Sequence, residues 1–201
     1  MTSPPEQTGD GSDVRRRLLE SAALLLDEAG PDALTARRLA AAAGTSTMAV
    51  YTHFGGMPAL VREIVVEGFN RLAGHVLDPP RTDDPIADLM AMARSYRANA
   101  RENPHLYSVM FGATSLGGYS LAPEERAVGY YTFVVLSEAV ARAMELGVLR
   151  AGDADLVAQQ LWTAMHGYVM LDLAGLHLTS TDPEAEVFLP LMATLLNGLS
   201  A

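Results

Sequence analysis

The sequence predicts an all-α fold of about nine helices, and three observations lead to this prediction. Apolar residues recur at intervals of three and four along most of the chain, which is the spacing of one helix face. Glycine, proline and the small polar residues that cap helices separate these segments. No segment alternates apolar and polar residues as a half-buried strand would. With 201 residues, 49% of them hydrophobic, the chain can bury a sizeable core in one or two domains.

The first helix is predicted over residues 13–29, where apolar side chains follow helical spacing until Gly30 and Pro31 interrupt the pattern. These side chains belong to Val14, Leu18, Ala22, Leu25 and Ala29. Residues 1–12 have neither the basic start nor the apolar core of a signal peptide, so we expect a disordered tail there.

Two short helices joined by a tight turn are predicted next. Thr35 is a suitable N-cap for the first of them, and Gly44 can end it in the left-handed conformation. Thr45 or Ser46 caps the second, which runs to about Phe54.

The second short helix is expected to bury one face and to present another to solvent. Val50 and Phe54, four residues apart, form the buried face. The outward residues are Thr47, Met48, Tyr51 and Thr52. A glycine turn followed by a short helix with a small polar outer face is typical of a helix-turn-helix, whose second helix enters the major groove of DNA. An ordinary αα-hairpin inside a bundle is the alternative, because this helix carries no lysine or arginine. The core of this part is predicted to contain Leu18, Leu25, Leu39, Val50, Phe54 and Leu60.

Pro58 begins a fourth predicted helix that reaches about His75, and a proline-rich break over residues 78–85 follows. Residues 112–120 are too rich in glycine to hold a helix and are predicted as a loop. The remaining five helices, of which the last two begin after aspartate caps, are predicted over residues 86–101, 104–111, 123–146, 153–174 and 183–199.

The net charge of −10 is unevenly distributed. Residues 13–75 contain seven arginines and seven acidic residues, and the rest of the chain carries the acidic excess. We expect the neutral part to approach DNA and the acidic part to be repelled from it, which would orient the molecule. Arg15, Arg16 and Arg17 at the start of the first helix suit phosphate contact and a solvated helix face equally well.

Residues 43–54 read Ala-Gly-Thr-Ser-Thr-Met-Ala-Val-Tyr-Thr-His-Phe. They resemble the pattern Ala-Gly-Val-Ser-x-x-x-Leu-Tyr-x-His-Phe of TetR-type transcriptional regulators, and the resemblance covers about residues 14–70. It implies a three-helix helix-turn-helix domain after the tail and a connecting helix after that. A helical effector-binding and dimerisation domain completes the chain. The corresponding ranges are residues 13–57, 58–77 and 78–201.

The resemblance also implies which groups contact phosphates. Tyr51 and His53, at the end of the second short helix, would fix the register on DNA without reading its sequence. Thr35 and the free amides after it can hold another phosphate at a helix N-terminus. Arg38 faces either a phosphate or an acidic neighbour. The family usually has a lysine where Met57 stands, so one phosphate contact is expected to be lost.

The resemblance implies that Arg37 reaches a base edge, where it can pair with guanine. Thr47, Met48 and Thr52 on the second short helix are further candidates for base readout. The complete predicted DNA-binding set is Thr35, Arg37, Arg38, Ser46, Thr47, Met48, Tyr51, Thr52 and His53.

Residues 161–168, Leu-Trp-Thr-Ala-Met-His-Gly-Tyr, are similar to the Trp-His-Gly type of regulatory domain of some TetR-like proteins. The resemblance implies that residues 153–174 and 183–199 form a four-helix bundle across a two-fold axis, and two operator half-sites require such a dimer. The predicted interface residues are Val157, Leu161, Ala164, Tyr168, Leu171, Leu189, Met192 and Leu196. The alternative is that they form only the core of one subunit.

Methionine and aromatic residues are concentrated between the domain boundary and the dimer helices, and such residues suit an adaptable apolar pocket. We expect an effector that is a neutral or cationic apolar molecule with an aromatic part. The predicted effector-binding residues are Met90, Tyr96, Tyr107, Met110, Phe111, Tyr130, Phe133, Trp162 and His166. Ordinary core packing is the alternative for each of them.

Neither an enzyme nor a cofactor or metal site is expected. His105, His166 and His177 lack metal-ligand spacing, and the chain has no cysteine. No apolar run reaches the roughly 18 residues of a membrane span, so we expect a cytoplasmic protein without a membrane partner.

The sequence therefore predicts a TetR-like homodimeric regulator and, within that class, a repressor. A small apolar or aromatic effector would release it from a palindromic double-stranded DNA operator, because effector and DNA would bind antagonistically. An activator, or a helical small-molecule-binding protein that has lost DNA binding, is the alternative.

Overall fold

The computed structural model describes residues 8–111 and 123–201. Within these ranges it contains nine α-helices and no strand, apart from an isolated bridge between Leu149 and Ser200. The all-α prediction is confirmed. The helices are α1 (Thr8–Ala29), α2 (Ala36–Ala42), α3 (Thr47–Phe54), α4 (Met57–Leu77), α5 (Pro85–Glu102), α6 (Pro104–Phe111), α7 (Pro123–Glu145), α8 (Ala154–Leu173) and α9 (Leu189–Leu199). The predicted loop over residues 112–120 lies outside the described residues.

Helix ends follow the predicted caps. The Thr35 hydroxyl oxygen accepts a hydrogen bond from the Arg38 backbone N–H at 3.3 Å, and Gly44 has a φ of +62° after α2. Ser46, not Thr45, caps α3 by accepting the Ala49 N–H at 3.2 Å. These bonds satisfy amide donors that have no partner within the helices.

The first helix differs from the prediction in its start and in its buried face. α1 begins at Thr8, five residues before the predicted start at 13. Its buried side chains are Leu18, Leu19, Ala22, Ala23 and Leu26. Leu25 is only half-buried and Ala29 is exposed. The observed buried face of α1 is therefore rotated about the helix axis relative to the predicted one. α1 contains pairs of adjacent apolar residues, and helical spacing alone does not decide which member of a pair is buried.

The last helix begins with a π-helical turn (Glu184–Phe188), where a regular α-helix was predicted. Asp182 caps this turn as expected, accepting the Ala185 N–H at 3.1 Å. Pro190 explains the wider turn. It has no N–H for the Glu186 carbonyl, and in an α-helix its ring would collide with that carbonyl.

The described residues divide into two compact units. The first contains α1–α3, α4 as far as Gly68, and α6 from His105; the second contains the rest of α4, α5, most of α7, α8 and α9. Buried residues of the first unit include Leu18, Leu39, Val50, Leu60, Ile64 and Tyr107. Those of the second include Leu89, Tyr96, Val140, Leu161, Phe188 and Met192.

Two glycines permit close packing of helices within these units. A Cβ on Gly68 would lie 2.3 Å from Met110 Sδ, so α4 and α6 approach closely in the first unit. A Cβ on Gly129 would lie 2.8 Å from Phe69 Cζ, so α7 receives the Phe69 ring in the second unit. Among the described helices, none is long and apolar enough to cross a membrane.

Candidate nucleic-acid interface and effector region

α3 is held by contacts at both ends and along its inner face. Ser46 caps its start, and at its end Gly55, with a φ of +72°, donates its N–H to the Tyr51 carbonyl at 2.8 Å. Val50 is completely buried and Phe54 nearly so. A helix of only eight residues gains little from its own hydrogen bonds, so these contacts fix its orientation.

The opposite face of α3 is open, as the sequence predicts. Met48 is 70% exposed and Tyr51 is 52% exposed, and Thr47 and Thr52 are exposed beside them. Packing in the core therefore does not explain why Met48 and Tyr51 occupy these positions. Threonine hydroxyls can hydrogen-bond to base edges, and methyl groups can contact thymine.

Groups that could bind phosphate occur at the start of α2 and at the end of α3. The Thr35 cap leaves the backbone N–H groups of Ala36 and Arg37 without helix partners at the start of α2. His53 is half-buried, and a Cβ on Gly11 would lie 3.9 Å from its Cε1. The start of α1 and the end of α3 therefore lie side by side.

The arginines at the start of α1 are engaged inside the domain. Arg15 forms an ion pair with Glu63, and its guanidinium lies 5.5 Å from the centre of the Phe54 ring. Arg16 contacts Asp13 at 2.6 Å, and Arg17 lies 3.2 Å from the same aspartate. The sequence left phosphate contact and a solvated helix face open for these arginines, and it did not predict these ion pairs.

Arg37 and Arg38 differ from that cluster. Both are exposed, and neither forms an ion pair with another of the described residues. The acidic-neighbour role considered for Arg38 is therefore not realised in this part of the chain. The start of α2 therefore carries two exposed guanidinium groups without an ion pair to any other described residue, whereas α3 carries no arginine or lysine.

The predicted effector residues fall into both units, and several of them are core residues. In the first unit, Tyr107 is completely buried against Phe111, with ring centres 4.8 Å apart, and Met110 is buried. These contacts correspond to the core-packing alternative. In the second unit, Tyr130 is 61% exposed, whereas Met90 and Phe133 are half-buried.

Three predicted effector residues come together in the second unit, and we call them the aromatic trio: Tyr96, Trp162 and His166. The Trp162 indole N–H donates to the Tyr96 hydroxyl at 3.2 Å, and that hydroxyl lies 3.4 Å from His166 Nδ1. Burial lowers the pKa of His166, so its ring is neutral at pH 7. The trio therefore combines a few hydrogen-bonding groups with largely buried aromatic rings, which is the usual composition of a small-molecule site.

An ionic network that the sequence did not predict lies in the same unit. Arg97 is buried and donates to Asp172 at 2.9 Å and to Glu184. Asp172 also lies 2.7 Å from His177 Nε2 and 3.5 Å from Arg101. The arginines compensate the carboxylates, so the network is an ion-pair cluster that joins α5 to the end of α8. No group of three or more potential ligands suited to a metal ion occurs among the described residues.

A second unpredicted feature fixes the proline-rich segment after α4. Asp88 accepts hydrogen bonds from the Thr82 hydroxyl at 2.6 Å, from the Thr82 N–H at 3.0 Å and from Arg142 at 2.7 Å. The Thr82 hydroxyl bond, with further help from Arg142, holds the pKa of Asp88 below its usual range.

Beside this cluster lies a groove of about 500 Å³, lined by the end of α4, residues 78–81 and parts of α5 and α7. We call it the linker groove. None of the nine predicted effector residues lines it.

The predicted dimer residues require a correction. Leu161, Tyr168, Met192 and Leu196 are buried inside one chain, so their side chains are not available to a partner. Tyr168, for example, packs on Phe188 with ring centres 4.7 Å apart. The remaining four are half-buried or exposed, and they are Val157, Ala164, Leu171 and Leu189.

The outward face of α8 carries apolar residues that the prediction omitted. Leu156 is 62% exposed and Met170 is 43% exposed, beside the exposed Leu171. Gly167 and Gly198 are helical glycines at which an added Cβ would meet nothing within 4 Å. Packing inside one chain therefore does not require glycine at either position.

Comparison with known proteins identifies both the N-terminal helix-turn-helix part and the C-terminal helical part of the chain. Residues 18–64 match the family model described as bacterial regulatory proteins, tetR family, and residues 89–195 match the tetracyclin repressor-like C-terminal domain. The chain is 29% identical over 188 residues to the HTH-type transcriptional regulator Rv0681 of Mycobacterium tuberculosis, covering 92% of this chain and 81% of that protein.

Two solved structures are similar over nearly the whole chain. A protein of unknown function from Rhodococcus sp. RHA1 has a TM-score of 0.79 and 27% identity, with coverage of 98% of this chain and 100% of that one. The TetR family transcriptional regulator PfmR from Thermus thermophilus has a TM-score of 0.74 and 25% identity, with coverage of 92% and 100%. The chain therefore belongs to the TetR family of DNA-binding transcriptional regulators.

Proposed function

We propose that this protein is a cytoplasmic, homodimeric repressor that a small apolar or aromatic effector releases from a palindromic operator. The observation that supports DNA reading most directly is the open face of α3, with Met48 and Tyr51 exposed on a firmly held helix. The two side chains are neighbours on one capped helix, so together they form a surface that a nucleic-acid groove can cover.

In this proposal α3 lies in the major groove, as the second helix of such motifs does. Thr47, Met48 and Thr52 face base edges, and the apolar thioether suits a thymine methyl group. Tyr51 and His53 hold the flanking phosphates and so set the register.

The start of α2 supplies the positive charge that α3 lacks. Arg37 reaches a guanine edge, whereas Arg38 and the capped N-terminus at Thr35 bind phosphates. Both arginines are exposed, and neither would have to break an ion pair with another described residue on reaching DNA, which supports these roles. Met57 contributes no phosphate contact, so we expect moderate affinity with a correspondingly weak dependence on salt.

Dimerisation follows from the outward faces of α8 and α9 in this proposal. Leu156, Met170 and Leu171 would be covered by the partner, and the open positions at Gly167 and Gly198 would allow its helices to approach closely. An isologous interface of this kind presents two copies of α3 to two half-sites.

The aromatic trio is our proposed centre for effector recognition in the second unit. Tyr96 and Trp162 offer hydrogen-bonding groups beside apolar ring surface, and the neutral His166 can donate or accept one more hydrogen bond. The effector must prefer the conformation that does not bind DNA, or it shifts no equilibrium.

Transcription in vitro from the promoter beside the protein's own gene tests the proposal. The expected result is less transcript on adding the native protein, no effect of a Tyr51→Ala variant of unchanged helicity, and relief by a compound that raises the melting temperature. More transcript would identify an activator. Selection from random genomic fragments that recovers no preferred sequence would show that DNA reading has been lost.

A further inference from the structure

We propose that Met48 is an oxidation site through which a peroxide controls DNA binding. Oxidation of its thioether to the sulfoxide releases the protein from its operator, and reduction of the sulfoxide restores binding. This inference rests on the proposed reading of DNA by α3, and it adds a chemical input that requires no effector in the second unit. The argument uses the exposure of Met48, the composition of the chain and the way in which α3 is held.

Exposure distinguishes Met48 from the other methionines that the structure describes. Its side chain is 70% exposed, and Met170 on α8, at 43%, is the only other exposed methionine among residues 8–111 and 123–201. Met110, Met165 and Met192 are buried, and the remaining described methionines are half-buried. An oxidant dissolved in water therefore reaches the Met48 side chain most easily.

The composition of the chain makes methionine the target of a peroxide. The sequence contains ten methionines and no cysteine. A cysteine thiolate would otherwise be oxidised by a peroxide and would divert it from the thioethers. Because no thiol competes here, thioethers are the groups of this chain that a peroxide oxidises.

The chemical step is a two-electron oxidation of one sulfur atom. A lone pair of the Met48 sulfur attacks one oxygen of hydrogen peroxide, a sulfur–oxygen bond forms and the O–O bond breaks. After proton transfer the products are methionine sulfoxide and water, so the sulfur is oxidised and the peroxide is reduced. A methionine sulfoxide reductase reverses the change by supplying two electrons and two protons, and the oxygen leaves as water.

The position of α3 does not depend on the Met48 side chain. The Ser46 cap and the buried Val50 and Phe54 hold the helix. In the free protein the sulfoxide oxygen stays in water, so oxidation creates no buried acceptor without a donor. We therefore expect the fold and the melting temperature to change little when Met48 alone is oxidised.

The same oxygen opposes binding to DNA. In the proposed complex Met48 faces a base edge, where its apolar thioether suits a thymine methyl group. The sulfoxide oxygen is a hydrogen-bond acceptor that would lose its water against that methyl group, and α3 carries no arginine or lysine to donate to it. The expected loss resembles that of one mismatched base pair, about tenfold per subunit and about a hundredfold for a dimer on two half-sites.

Hydrogen peroxide is the probe, and the test uses the full chain with the operator that the native protein selects from genomic fragments. One part of the treated protein is then incubated with two methionine sulfoxide reductases, one for each epimer of the sulfoxide. Mass spectrometry of peptides should find the added oxygen first on Met48. Fluorescence anisotropy should show operator binding that is about a hundredfold weaker after treatment and is restored by the reductases, with unchanged helicity.

Met48→Leu and Met170→Leu are the matched variants, since each removes one exposed thioether, and each is compared with its own untreated sample. Peroxide should leave the operator affinity of Met48→Leu unchanged and should weaken that of Met170→Leu as in the native protein. A treated Met48→Leu variant that loses affinity would overturn the proposal, as would a Met170→Leu variant that keeps it. Unweakened operator binding by native protein oxidised at Met48, or oxidation of a buried methionine before Met48, would also overturn it.

The untreated samples separate this proposal from the proposed function. Selective operator binding by untreated native protein that survives oxidation of Met48 refutes the oxidation site and leaves DNA reading in place. Untreated native protein that selects no DNA sequence refutes DNA reading, and the oxidation site falls with it.

Discussion

Replacing Arg38 by glutamine removes an exposed guanidinium that forms no ion pair with another described residue, and it keeps the backbone N–H that bonds to Thr35. Each phosphate contact contributes about 0.9 to the slope of log affinity against log salt. Two subunits on a palindromic operator would lose two contacts, so the slope should become shallower by about 1.8. At about 0.15 M salt the same relation gives a loss of about fivefold per subunit, or about thirtyfold for the dimer.

Arg16→Gln is the matched control for this measurement. It removes the same charge from the same unit, but the Arg16 guanidinium is already bonded to Asp13 and Glu20 and is not free for a phosphate. Fluorescence anisotropy with labelled operator, measured between about 0.05 and 0.3 M salt, gives both slopes. The control should keep the native slope.

Two results would refute this reasoning. A native slope for Arg38→Gln would show that Arg38 does not contact a phosphate. Equal slope changes in the Arg38 and Arg16 variants would show that net charge alone matters, and that the ion pairs around Arg16 do not distinguish the two arginines.

Three further predictions concern the second unit. Gly167→Leu should convert the dimer to a folded monomer in analytical ultracentrifugation. An added Cβ at this exposed position meets nothing within 4 Å in one chain, whereas a leucine side chain would enter the proposed partner. A stable dimer would exclude this face of α8 from the interface. Asp88→Asn should lower the free energy of unfolding in urea by about 2 kcal/mol, since a buried acceptor of three bonds loses its charge, and a loss below about 0.5 kcal/mol would contradict the role of this cluster. Burial lowers the pKa of His166 in the folded protein. As the pH falls below about 6.5, the unfolded chain therefore binds a proton at this histidine before the folded chain does. The free energy of unfolding should fall accordingly between about pH 6.5 and about pH 5. The fall in melting temperature over that range should be smaller in His166→Phe than in the native protein, and equal falls would show that another group is responsible.

Local features of this protein were predictable from sequence because their causes lie within a few residues. Thr35 caps α2, Gly44 ends it and Asp153 caps α8, each through bonds to backbone groups at most four positions away. The open face of α3 was predictable for the same reason, since Val50 and Phe54 determine which side of a short helix is buried.

Contacts between distant elements were not predictable in this way. Arg97 pairs with Asp172, which is 75 residues further along the chain, and no local pattern assigns an arginine to one particular partner. Arg15 likewise finds Glu63 on another helix, which makes it structural. Only the folded chain distinguishes such an arginine from Arg38, which forms no ion pair with another described residue.

For the dimer residues, the spacing of apolar residues could not show which side of α8 is buried within one chain. α8 is apolar around most of its circumference, with Leu161 and Met165 inside and Leu156 and Met170 outside. An apolar stripe identifies a buried face only when the other faces are polar. The sequence therefore located the helix that we propose for the interface but not the side of it that is free.

The most direct test of DNA reading by α3 is the ratio of affinities for operator and for random DNA at one salt concentration. Native protein should prefer its operator by at least about a thousandfold. A variant with Thr47, Met48 and Thr52 replaced by alanine should bind random DNA as before and lose most of that ratio, because phosphate contacts remain while base contacts are gone. An unchanged ratio in that variant would contradict the central claim that the open face of α3 reads the operator.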